Sequence, residues 1–440
     1  MEQVPQEDET IAAKRAFRLA EKIRSAREGL VGKKAWWNNG PMEILVLVIL
    51  LSLNFYLVQS FFGTTAPDIS YSGPIIPLMG KLIELTGIPL SYSFQIVHAV
   101  FFLMFPVTFF IFVRSLTDRK LIAFLAVLIA SLPFNPFGLT RIWGMFLGGD
   151  GPHLASLTLI PLALYGLLAF LRKGGLINLF LASITSCFIA LTSPFGFLTY
   201  ALLASLTAFS EMLLGKGRLK AMRFLVALFF AGAFSSFWYN PAFFYWMISG
   251  PMGVDVRLMI SKMIPISLFA IPILGAFGFL LFDRKPNLQP VFLASFYTIA
   301  FLLIFVAGGG IFPSHPSRYT AELGISLSFL LSVAIVRATD YLRFHEIAWF
   351  SNTSKSLLAN GILLGTGIFL ILGIVLGRQG IVRAEDSVLG VWTGVDKGEI
   401  WVSKENFGGF GAFFGYSITA GAVATLSFLG IKSKGETPTP

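Results

Sequence analysis

The sequence predicts an all-α protein, a polytopic transmembrane helical bundle of about twelve spans with an amphipathic interfacial helix in the first outer loop. Three observations carry that reading. Hydrophobic residues fill 55% of the 440 positions and charged residues only 13%, well below the roughly 25% charge of a soluble domain. Apolar runs of about 17 to 25 residues, long enough to cross a bilayer as helices, recur along the chain. The segments between them are alternately rich and poor in Lys and Arg, as the positive-inside rule requires.

The first 40 residues lack a short apolar core followed by small residues, so no cleavable signal is expected. They contain KRAFRLAEKIRSAR, basic with apolar positions at helical spacing, which predicts a cytosolic amphipathic segment at the interface. Residues 43–62 form the first expected span. The outer loop after it carries Asp68 in the turn-rich stretch TTAPDISYSG. GPIIPLMGKLIELTG, residues 73–87, follows, with Ile75, Ile76, Met79, Leu82 and Ile83 at helical spacing opposite Lys81 and Glu84. This stretch is too short to span, so it should lie along the outer interface. The remaining spans are expected at 93–113, 121–137, 154–171, 176–191, 195–214, 221–239, 263–282, 288–307, 320–336, 357–376 and 411–429. Residues 41–336 thus form a core, and 337–440 a two-span C-terminal segment with a short outer loop.

With both termini cytosolic, the outer side keeps Lys81, Arg141, Arg257, Lys262, Arg318, Arg378, Arg383, Lys397 and Lys404, which leaves 24 of the 33 Lys and Arg inside. The net charge of +10 therefore faces anionic membrane lipid, and nucleic acid is not expected as a partner. A single cysteine, Cys187, lies within a span, so disulfides play no part and the redox compartment is not legible.

Ionisable residues gather on the outer side. Asp68, Glu84, His98, Arg141, Asp150, His153, Asp255, Arg257, His315, Arg318 and Glu322 all fall there, and such groups at span ends usually face a cavity or a partner. Each also has a plainer reading. Asp150, in GGDGPHLASL, precedes Gly151 and Pro152 as an N-cap would, and His153 then reads as an interfacial side chain. Asp68 reads as part of a surface turn, Arg318 and Glu322 as an i, i+4 helix pair, and His98 as a hydrogen-bonded packing residue.

An acidic residue after the first span, followed by an interfacial helix, resembles the C-type glycosyltransferase superfamily. TRIWGMFLGGDGPH, with Arg141, Gly144 and Asp150, is similar to the second acidic motif of oligosaccharyltransferase catalytic subunits, and SHPSRYTAELGISLSFLL and LTSPFGFLTYALLASL look like segments of the same superfamily. No DxD pair stands near Asp68, no WWDYG-like segment occurs, and the 440 residues carry no large soluble C-terminal domain, which points away from an oligosaccharyltransferase proper. The resemblance implies an outer-face enzyme that takes a sugar from a polyprenyl-phosphate carrier. Asp68 and Asp150 would then be the catalytic residues, and His98, Arg141, His153, Arg257, His315, Arg318 and Glu322 substrate-binding. A divalent metal ion is a possible cofactor, with Asp68, Asp150 and His153 as candidate ligands. Its partners would be a lipid-linked sugar donor and membrane lipids, and the sequence sets no oligomeric state.

Two other function classes fit parts of the pattern. Twelve spans and the loop RSLTDRK suit a multi-span transporter or lipid flippase, although no half-to-half repeat is visible. A non-catalytic membrane subunit or scaffold is the other. GGG at residues 308–310 is not a phosphate loop, because the Lys and Ser or Thr that complete one are missing. The expected topology has a direct test. A membrane-impermeant thiol reagent should fail to label a cysteine placed at Lys434 in intact cells and should label it after permeabilisation; labelling from outside would reverse the orientation.

Overall fold

The computed structural model describes residues 40–66, 72–249, 288–311, 319–344, 351–392 and 409–435. The described chain is helical, with no strand among these residues. Its helices are α1 (Gly40–Val58), followed by a 3-10 turn (Gln59–Gly63), α2 (Ile75–Glu84), α3 (Leu90–Thr117), α4 (Lys120–Ala130), α5 (Gly138–Phe146), α6 (Gly151–Lys173) and α7 (Leu176–Thr192). They continue as α8 (Pro194–Leu213), α9 (Gly217–Ser235), α10 (Pro241–Ser249), α11 (Gln289–Ile311), α12 (Thr320–Phe344), α13 (Asn352–Trp392) and α14 (Gly409–Gly435). The chain forms two compact units, Met1–Ile49 and Leu50–Pro440, and the site described below lies wholly in the second.

Seven of these helices are long and apolar enough to cross a membrane, and three shorter apolar ones accompany them. Eleven of the twelve expected spans fall on a described helix; the eighth, 263–282, lies outside the described residues. So do the basic segment before residue 40 and the candidate residues Asp68, Arg257, His315 and Arg318. The expected interfacial helix is present as α2, ten residues long, far short of the 20 or so that a crossing needs. Ile76 and Gly80 are buried beneath it, while Leu78, Leu82 and Leu85 are exposed with Lys81 and Glu84, as suits a helix lying along a membrane surface.

The third expected span, 121–137, is broken. Helix α4 ends at Ala130 after 11 residues, about 16 Å of helix, because Pro133 and Pro136 lack the N–H groups that would continue it. The chain then re-enters helix as α5, which is almost entirely buried. Arg141, expected in an outer loop, is therefore inside the protein.

Four helices run in the same direction, three of them carrying candidate residues. Along α3 and α6, His98 faces Gly151, Thr158 Oγ1 donates to the Phe101 carbonyl at 3.0 Å, and Thr108 Oγ1 donates to the Thr158 carbonyl at 2.8 Å. Residue numbers rise together, so the helices are parallel. Helix α8 follows α6 in the same sense, with Gly196 against Ser156 at one end and Glu211 bound by Arg172 at the other. Helix α12 joins them through Glu322, which meets His153 and Thr199. The N-termini of α3, α6, α8 and α12 thus share one end.

At the opposite end, Glu211 is buried and fully engaged. Arg172 Nε donates to it at 2.8 Å, Lys220 Nζ at 2.6 Å and Gln289 Nε2 at 2.8 Å. Gln289 in turn accepts from Arg172 Nη2 at 2.8 Å.

The α6–α8 contact depends on a residue without a side chain. A Cβ on Gly196 would sit 1.7 Å from Ser156 Oγ. Gly196→Ala should destabilise the protein by about 1 to 3 kcal/mol through overpacking, and Ser156→Gly in the same chain, which removes both crowded atoms, should restore part of the loss. Thermal unfolding of the single and double variants checks this; equal loss in both would show that the crowding lies elsewhere.

Candidate functional site

The site forms where the four parallel N-termini meet. Asp150, Gly151 and His153 head α6, Thr199 lies in the second turn of α8, Glu322 in the first turn of α12, and His98 faces α6 from α3. His98, Arg141, Asp150, His153 and Glu322 are 1%, 2%, 1%, 0% and 2% exposed. Residues of this kind are almost never buried without partners.

Glu322 is the centre of the described contacts. His153 Nε2 donates to Glu322 Oε1 across 2.8 Å, and Thr199 Oγ1 donates to the same oxygen at 3.2 Å. The Tyr319 ring packs edge-on to His153 at 6.3 Å. Glu322 Oε2 and His153 Nδ1 are left without a hydrogen-bond partner although both are buried.

More unmet polar atoms lie on α3 and α5. Both ring nitrogens of His98, Gln95 Oε1, Trp143 Nε1 and both Nη atoms of Arg141 are buried without hydrogen-bond partners. Gln95 lies one turn before His98 on α3 and donates through Nε2 to Thr64 at 2.9 Å, just before the loop that bears Asp68. The Arg141 guanidinium carbon sits 3.5 Å from the Phe105 ring centre and 4.7 Å from that of Phe102, a cation–π arrangement. An arginine guanidinium stays protonated at neutral pH, so this is a buried cation. Since more than nine in ten buried polar groups in proteins are paired, a concentration of unmet ones marks where a ligand or water belongs.

A narrow apolar cleft of about 40 Å³ reaches Glu322, room for a few waters or a slim chain rather than a whole small molecule. Phe109, Phe112, Leu157, Leu164, Phe301 and Phe329 line it, with Thr199, Glu322 and Ser326 among the polar contributors. The arrangement joins a polar, partly unsatisfied head to an apolar slot, which suits an amphiphile with a polar head group.

The structure thus brings together His153 and Glu322 by direct contact, and His98 with the Asp150–Gly151 turn. Asp150 stands at the N-cap position of α6 but makes no capping hydrogen bond, so the plain capping reading finds no support. His153 is fully buried rather than interfacial. Glu322 engages His153 and Thr199, whereas Arg318, its expected i, i+4 partner, lies outside the described residues. Among the described residues no three His, Cys, Asp or Glu side chains come together to hold a metal ion. Sequence reasoning passed over Gln95, Trp143 and Thr199. Gln95 was findable by its i, i+3 spacing from His98, and Thr199 as a polar position inside LTSPFGFLTYALLASL.

No family model matches this chain, and no curated protein matches it. Among solved structures, the crystal structure of ArnT from Cupriavidus metallidurans bound to undecaprenyl phosphate is similar over 88% of this chain and 77% of that chain, with a TM-score of 0.41 and 14% identity. The site is assigned here from its contacts.

His153 and Glu322 should be unequal in stability tests. His153→Ala leaves a buried carboxylate without its imidazole and should cost about 3 kcal/mol. Glu322→Gln keeps an acceptor for both His153 and Thr199 and should cost less than about 1 kcal/mol. Unfolding in detergent micelles measures both, and equal losses would mean that the contact is not the strong interaction its geometry implies.

Proposed function

We propose that this protein is a C-type glycosyltransferase-like membrane enzyme, which moves a sugar from a polyprenyl-phosphate carrier to an acceptor at the outer face of the cell membrane, its termini being cytosolic. The observation that carries this reading is the buried His153–Glu322–Thr199 contact, which keeps an unmet Glu322 oxygen and His153 nitrogen and borders a narrow apolar cleft. A lipid-linked sugar has the matching halves, a hydroxyl-rich head and an apolar tail.

In the proposed reaction the acceptor hydroxyl loses its proton to a carboxylate, its oxygen bonds to the anomeric carbon, and the bond from that carbon to the phosphate oxygen breaks. The polyprenyl phosphate leaves with the electron pair. Asp68 is the proposed base by the family resemblance. Arg318 or Arg257 is the proposed cationic partner of the departing phosphate, and Arg141 adds a buried cation near the same end. Asp150 and His153 are proposed to hold the acceptor.

A carrier would place its polar groups near the membrane midplane. Here His153 and Glu322 lie in the first turns of their helices and Thr199 in the second, and the opposite end is closed by the Glu211 network, which favours an enzyme open to one side.

The test is transfer by the purified protein, reconstituted with polyprenyl-phosphate sugars and a panel of acceptors. Asp150→Asn, which preserves capping ability, should leave unfolding unchanged and reduce transfer about 100-fold or more. Full activity in that variant, or no donor consumed by the parent protein, overturns the reading.

A further inference from the structure

Two separate features meet at the start of α6. The first is the helix end itself, which heads 23 residues of helix. The first N–H groups of a helix have no intrahelical acceptor, and Asp150 makes no capping bond to them. Pro152 has no N–H, so the donors left at this end are those of Gly151 and His153. The Asp150 N–H is already taken by the Gly144 carbonyl at 3.0 Å.

The second feature is His98. It is 1% exposed, and neither ring nitrogen has a hydrogen-bond partner. Its ring is aimed at the helix end: a Cβ placed on Gly151 would lie 2.2 Å from His98 Nε2 and 2.3 Å from Cε1. Glycine at 151 is what lets the imidazole approach so closely. One turn further along α3, Phe102 carries the unpaired guanidinium of Arg141 at 4.7 Å from its ring centre. Donors therefore dominate this corner, and a positive helix end and a nearby cation reinforce them.

We propose that the start of α6 is a phosphate-binding subsite, in which the His98 imidazole and the N–H groups of Gly151 and His153 donate to phosphoryl oxygens. Three donors suit a tetrahedral group with several acceptor oxygens, and helix N-termini bind phosphate through the same combination of free N–H groups and dipole. Arg141 of α5, whose guanidinium lies over Phe102 one turn from His98, supplies countercharge that offsets the Asp150 carboxylate at the N-cap. The inference rests on the transferase reading only for what bears the phosphate, a lipid or free phosphate.

Thermal unfolding of the full chain in an uncharged detergent tests it, with octyl phosphate, inorganic phosphate or neither present. Octyl phosphate should raise the unfolding temperature of the parent protein in a saturable way. His98→Phe should unfold no earlier than the parent without ligand, because it removes an unpaired buried imidazole. It should also need at least about tenfold more octyl phosphate for the same shift. Gly151→Ala drives a methyl group into the His98 ring and should weaken the same response, and it serves as the reporter if His98→Phe does not fold. A response to inorganic phosphate as well means that the phosphoryl group alone suffices, whereas a response to octyl phosphate alone means that the phosphate is lipid-borne. No response from the parent to either ligand, or an undiminished response in the variant read, overturns the proposal. A phosphate response without sugar transfer would sink the transferase reading and leave the subsite standing; transfer without the response would do the reverse.

Discussion

The contact between His153 and Glu322 is the interaction on which the site end depends. It links the first turn of α6 to the first turn of α12 across 169 residues of sequence. These helices run parallel with α3 and α8, so four electropositive helix ends are brought together. Such convergence is unfavourable unless negative charge is supplied. Glu322 and Asp150 supply it from within the first turns, and Glu322 also tethers α8 through Thr199. The same two carboxylates that stabilise the helix ends are those best placed to meet a substrate.

The two ends of these helices show how differently one chain treats a buried carboxylate. Glu211 receives an arginine, a lysine and a glutamine amide, and its network has no open position. Glu322 keeps one oxygen without a partner, beside an imidazole nitrogen and a guanidinium in the same state. Both carboxylates are buried alike, so burial does not explain the difference. Unmet groups of this kind lower stability; apart from Arg343 Nε, those among the described residues belong to Gln95, His98, Arg141, Trp143, His153 and Glu322, which points to a function that the Glu211 network does not share.

Most of the fold was legible because crossing a membrane imposes a length and a composition on each helix. Ten expected spans fall on described helices, the third is broken, and the short amphipathic helix of the first outer loop is in place. What escaped was governed by partners distant in sequence. The i, i+4 spacing of Arg318 and Glu322 suggested a local pair, yet Glu322 is engaged by His153 and Thr199, from two other helices. Asp150 had the neighbours of an N-cap without the capping bond. Of the site residues, His98, Arg141, Asp150, His153 and Glu322 were singled out from the sequence, but their burial depends on how α3, α5, α6 and α12 pack, which no spacing rule reports.

The broken third span explains why Arg141 can be buried at all. Two prolines end α4 early, and the chain between α4 and α5 must pass through protein, since unpaired backbone is not tolerated against lipid. Ser131, at the break, is tied to Asn54 of α1, whose Nδ2 donates to it at 3.0 Å. Helix α5 then fills the space an unbroken span would have occupied, with its residues packed inward. A continuous helix would have carried the basic side chain on into the outer loop, where water would satisfy it. The break holds the guanidinium instead against Phe102 and Phe105, at the level of the site. The aromatic faces offset part of the cost of burying the cation, but they leave its N–H groups unmet, and an anionic group entering the site is the partner that would complete them.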